Sequence, residues 1–107
     1  MAYRIRLLVP TSYTEEARTM IEEHPRAIVI ARDASPDHHG ADILTIVSSE
    51  PRILHGLHRW WMDRQHERRA IPPMSIVQLD DTLLSFSELS ADELEMFGRQ
   101  EELPQAS

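Results

Sequence analysis

The stretch HGLHRWWMDRQHERR, residues 55–69, holds three of the six histidines, both tryptophans and four arginines. Its chemistry depends on spacing. His55 and His58 stand i,i+3, so on a helix their imidazoles converge on one face, as a divalent metal requires. His66 lies two turns further on and cannot join them unaided. A third ligand would have to come from His38 or His39 in the loop-like SPDHHG. The chain has no HExxH motif. If any metal binds, His55 and His58 are the candidate ligands, but two histidines do not make a centre, and no cofactor is expected. The alternative is a polar helix face available to a partner. Arg and His serve such a face because their contacts are directional or pH-dependent. The candidate partner-binding residues are His55, His58, Arg59, Met62, His66 and Arg69.

Other catalytic chemistries lack their residues. With no cysteine there is no thiolate nucleophile, disulfide framework or cysteine-ligated zinc or iron–sulfur site. The three glycines (40, 56, 98) form no phosphate-cradling loop, and no serine sits in a GxSxG elbow. The adjacent carboxylates Asp80 and Asp81 read as a hairpin turn. The His38-His39 pair could supply a general base, but beside proline and glycine it reads as a solvated loop. No set of groups converges on a pocket that would perturb pKa values. A non-enzymatic protein is expected.

Net charge of −7 argues against general nucleic-acid binding, which gains its affinity by neutralising phosphates. The charge is uneven. Residues 52–69 carry five arginines against Asp63 and Glu67, whereas residues 80–107 carry eight acids against Arg99. Such a split can serve intramolecular packing, self-association or a charged partner. The apolar run Leu7–Val9 is too short for a signal-peptide core, and nothing approaches the roughly 20 apolar residues of a membrane span. A soluble, cytoplasmic chain is the expectation.

The elements that would position the histidine stretch follow from pattern. Tyr3–Val9 reads as a strand ended by Pro10. Ser12 and Glu15 have capping-box spacing, and Ala17, Met20 and Ile21 recur helically until His24-Pro25. Ala27–Ala31 is nearly continuously apolar, as in a strand covered on both faces or central in a sheet. Ile43–Val47 is a third strand, and Ser49 with Pro51 opens a second helix over residues 50–69. Ser75–Leu79 and Thr82–Phe86 flank the Asp80-Asp81 turn, and a capping box at Ser90 and Glu93 opens a last short helix with Leu94 and Phe97 inward. The expectation is a single α+β domain over residues 1–100. It is a ferredoxin-like βαββαβ sheet with an added C-terminal β-strand and short helix. Residues 101–107 are expected to fray. At about 100° per residue, Ile53, Leu54, Leu57, Trp60 and Trp61 share an inward arc continued by Arg64 and Arg68. His55, His58, Met62 and His66 face the other way.

An N-terminal IRLLVP strand, a short acidic helix, a Trp-containing helix ending in arginines, and MSIVQLDDTLLSFSELSADEL as strand–turn–strand–helix follow in order. This order over most of the chain resembles the bacterial effector-associated constant component family, small components that couple sensors to effectors in conflict systems. The second helix, rich in Arg and His, departs from the family's more apolar one. The resemblance implies no catalytic residue. It implies an adaptor or regulatory component. The expected partner is another protein, an effector or a second copy, met through the sheet's open face or the surface of the second helix, without nucleic acid or membrane. Two other expectations stand beside it. One is an immunity- or inhibitor-type protein whose acidic C-terminal third masks a basic site. The other is a metal- or small-ligand-sensing ferredoxin-like domain using His55 and His58.

Overall fold

The chain opens with β1 (Ala2–Pro10): Ile5, Leu7 and Val9 point inward and are buried, and Leu8 and Pro10 between and after them are buried as well. The computed structural model describes residues 1–67 and 74–104. β1 pairs antiparallel with β3 (Ala41–Ser48) along its whole length, setting Ile5 opposite Ile46 and Leu7 opposite Leu44. β3 pairs in turn with β2 (Ala27–Ala34), which forms one border of the sheet. On the other side of β1 lie β4 (Ser75–Val77), against Arg6–Leu8, and β6 (Glu102–Leu103), against Ala2–Tyr3. β5 (Leu83–Ser85) extends the sheet beyond β4, giving the antiparallel order β2-β3-β1-β4-β5 with β6 beside β1.

Among the described residues this is an α+β domain of three helices and six antiparallel strands, and not the ferredoxin-like βαββαβ topology expected. The expected added strand is present as β5, and the expected short helix follows it. The unexpected element is β6, where the C-terminal segment is captured by the free start of β1. The Arg4 amide donates to the Glu101 carbonyl at 2.9 Å, and the Arg99 guanidinium lies over the Tyr3 ring at 5.9 Å. Residues 101–104 are thus held against β1, contrary to the expected fraying from 101; residues 105–107 lie outside the described residues.

Three helices cover one sheet face: α1 (Thr14–Glu22), α2 (Ile53–Glu67) and α3 (Ala91–Gly98). Ala17 and Ile21 from α1, Ile53, Leu54, Leu57 and Trp61 from α2, and Leu94 from α3 pack on Ile5, Leu7, Leu44, Ile46 and Ile76. Each fully buried Leu or Ile contributes about 1.5–3 kcal/mol. That gain selects which face the helices cover. The radius of gyration, 13.0 Å, is that of one compact body of this length.

Of the two capping boxes that spacing predicts, one forms. At α3, Ser90 Oγ accepts from the Glu93 amide at 3.2 Å, and Glu93 Oε1 accepts from the Ser90 amide at 3.1 Å. At α1, Ser12 lies in a 3-10 turn, and the residue preceding the helix, Tyr13, makes no side-chain cap. The Thr14 hydroxyl instead donates to Asp42 at 2.9 Å, and Glu15 pairs with Arg32. These partners lie 28 and 17 residues away, where no local spacing rule reaches.

Candidate interaction surface

The histidine row of α2 does not face solvent as a unit, because α3 lies across it. His58 Nε2 donates to the Leu89 carbonyl at 2.9 Å, and its ring packs on Trp61 and Phe86 at centroid distances of 6.5 and 6.2 Å. His55 Nε2 lies 3.0 Å from Glu95 Oε1 and 3.6 Å from Asp92 Oδ1. That nitrogen is buried and makes no aligned hydrogen bond to either carboxylate. Arg59, Met62 and His66 remain exposed further along α2. Arg69 and Arg68 lie outside the described residues. The row is therefore split: His55 and His58, half-buried, support an internal helix contact, and only its C-terminal half is fully exposed. Among the described residues no three His, Asp or Glu groups converge in a metal-holding cluster.

The tryptophans divide as well. Trp61 is buried edge-on to Phe86, at 5.9 Å and 77°. Trp60 is half-buried against Tyr13 at 6.4 Å and 72°, and its Nε1 donates to Glu16 at 3.3 Å. The Arg64 guanidinium bonds the same Glu16 oxygen, which raises the arginine pKa above its ordinary value. Trp60 thus anchors α2 to α1.

Among the described residues no helix lies on the sheet's second face. Strand registers place on that face Ile28, Ala31 and Asp33 of β2, Ile43, Thr45 and Val47 of β3, Arg4, Arg6 and Leu8 of β1, Ser75 and Val77 of β4 and Leu83 of β5. A solvated antiparallel face normally alternates to polar residues; this one has an apolar centre bordered by Arg4, Arg6 and Asp33. Ile28 is 59% exposed and Leu83 37%, whereas Leu8 and Val77 are buried among their neighbours. Part of the face is a trough of about 270 Å³ floored by Leu8, Ile43, Val77 and Leu83, with Ser35–His38 on one side and Arg6 and Asp81 on the other. The β4–β5 turn that carries Asp81 puts it at φ 67°, a left-handed conformation that Asp tolerates. Thr82 donates backbone and hydroxyl hydrogen bonds to Asp80, and the hydroxyl bond is the main reason that carboxyl is held below the usual range.

Three of the C-terminal acids pair within the chain, with arginines outside residues 52–69. Glu101 pairs with Arg4, Asp81 with Arg6, and Glu95 with Arg99 as well as His55. The Glu95 carboxyl lies below the usual range, first because Arg99 hydrogen-bonds it and then through the charges of Arg99, His55 and Arg52.

Sequence reasoning missed one feature: buried Asp42 holds Thr14 and, at 3.2 Å, Arg32, fastening α1 to β2 and β3. An open sheet face was expected as one candidate surface, but not the residues that line it. Its signal was present in AIVIA, which reads as a strand covered on both faces, yet β2 is a border strand with one face bare. No family model, curated protein or solved structure matches the chain.

Proposed function

We propose that this chain is a small non-enzymatic protein–protein interaction module that binds through the bare face of its sheet. The observation that carries this reading is the apolar centre of that face, Ile28, Ile43, Val47, Leu8, Val77 and Leu83, with every helix among the described residues on the opposite side. Leaving such a face in water forgoes roughly 25 cal/mol per Å² of apolar area, and extended apolar patches on soluble proteins mark interaction sites. The resemblance to the effector-associated constant component family supports placing it as an adaptor or regulatory component of a bacterial conflict system. The strand succession β2-β3-β1-β4 supports reading the architecture as an elaborated ferredoxin-like plan.

The absence of cysteine allows a direct test. Thr45→Cys places a single thiol at the centre of the face, and Met62→Cys places one on the exposed half of the α2 row. The thiol of the Thr45→Cys variant is expected to react several-fold more slowly with maleimide in native lysate, or in concentrated unlabelled protein, than in dilute buffer. The thiol of the Met62→Cys variant is expected to keep its rate. Equal rates for Thr45→Cys under all conditions would refute the reading. Protection in Met62→Cys instead would move the interaction to Arg59, Met62 and His66.

A further inference from the structure

We infer that the occupant of the bare sheet face is the same face of a second copy of this chain; the inference rests on the interaction reading above and names its partner. Charge supplies the first argument. The two guanidiniums on the face are compensated within the chain, and the face's other charges, Asp33 and Asp37, lie toward its margin beside β2. Arg6 donates to Asp81 at 3.0 Å and to the Gln78 carbonyl at 2.7 Å, and Arg4 donates to Glu101 at 3.3 Å. Neither offers a charge for an acidic protein or a phosphate backbone to neutralise. The complement of a compensated, apolar, twisted sheet is another such sheet, and two sheets pack face to face about 10 Å apart. In a chain of net charge −7, meeting through the compensated face also keeps the uncompensated acids of two copies apart.

Neither border offers a good competing route: β5 is only three residues long, and short border strands pair poorly. β2 carries a bulge between Val29 and Ala31, followed by Arg32 and Asp33. Bulges and charges at a border strand block strand-to-strand extension. Association is thereby directed to the face.

Area bounds the interface. Three long strands and two short ones, spaced about 4.8 Å apart with a rise of about 3.3 Å per residue, present roughly 500 Å² in projection. Two copies bury on the order of 1,000 Å² in total, near the lower bound for a specific interface. A reversible dimer, dissociating within the micromolar range, is the expectation for an interface at that limit.

Sedimentation equilibrium from about 5 to 500 µM tests this. The wild type is expected to pass from monomer to dimer, more completely at 300 mM than at 50 mM NaCl because salt screens the like charges. Ile28→Asp/Leu83→Asp, two exposed positions that leave the core intact, is expected to weaken dimerisation at least tenfold. Met62→Asp/Met96→Asp, on the helical side, is expected to leave it unchanged. A wild type that stays monomeric at 500 µM overturns the inference, as does a dimer broken only by the helical-side pair. If the Thr45→Cys thiol is nevertheless protected in lysate, the interaction reading survives with a different partner. If it is protected nowhere, both fall.

Discussion

Two helical glycines face opposite environments, and substituting alanine at each should shift stability in opposite directions. Gly98 ends α3 against the core. A Cβ there would stand 2.6 Å from Leu54 Cδ1, 3.4 Å from Pro51 Cβ and 3.5 Å from Ile5 Cδ1. Leu54 is fully buried and has nowhere to retreat. Overpacking of this kind costs about 1–3 kcal/mol. The backbone gain of Ala over Gly inside a helix, about 0.5–1 kcal/mol, offsets part of that and less at the last residue. Gly98→Ala should destabilise by about 1–2 kcal/mol. At Gly56, in the middle of α2, an added Cβ meets nothing within 4 Å. Gly56→Ala should therefore stabilise by about 0.5–1 kcal/mol. With a urea slope of about 1–3 kcal/mol per M, the midpoint should fall by roughly 0.5–1 M for the first variant and rise by a few tenths for the second. Tryptophan fluorescence reads both, because Trp61 lies in the same core. A Gly98→Ala midpoint equal to or above wild type would refute the seating of α3 on Leu54. His55 and His58 would then be uncovered, as the sequence alone suggests.

Three further outcomes follow from the same geometry. His58→Ala removes a ring packed on Trp61 and Phe86 and a bond to the Leu89 carbonyl. It should cost about 1–3 kcal/mol; a melting temperature within roughly 1–2 °C of wild type, which by size scaling means about 0.3 kcal/mol, would contradict this. Asp42→Ala strips Thr14 and Arg32 of a buried acceptor and should cost about 1–3 kcal/mol by urea titration, with Asp42→Asn milder because it can still accept from Thr14. The Glu95 carboxyl is held below its ordinary range mainly by Arg99, so its folded pKa lies below the unfolded one. Its contribution is complete above the ordinary carboxylate range and is lost as pH falls through its lowered folded value. The protection factors of α3 amides, hydrogen exchange corrected for its intrinsic pH dependence, should therefore fall as pH drops through the acidic carboxylate range, and Glu95→Gln should flatten that component; an equally steep fall in the variant would remove Glu95 as its cause.

Local signals were legible where neighbours in sequence are also neighbours in space. β1, the Ser90–Glu93 capping box and the Asp80-Asp81 turn all belong to this group. The inward arc of α2 was legible for the same reason, since Ile53, Leu54, Leu57 and Trp61 are all buried. The candidate site was read less well. Helical projection correctly set His55 and His58 away from the sheet-facing arc, but away from the sheet is not the same as in water. Leu89 and α3 occupy that side, Leu89 standing 31 residues from His58. The Ser12 box failed in the same way, because Thr14 and Glu15 found Asp42 and Arg32 across the fold.

By itself the sequence determined the element types, most of the apolar core and the absence of cysteine chemistry. Those depend on residue identity and on periods of about two and 3.6, which a chain carries whatever its fold. Tertiary structure alone decided which strands lie at the border, where the C-terminal acids find their arginines, and which surface stays bare. Strand order decides whether an apolar strand such as AIVIA has a layer on each side. Here it left one side open, and so moved attention from the histidines of α2 to the far face of the sheet.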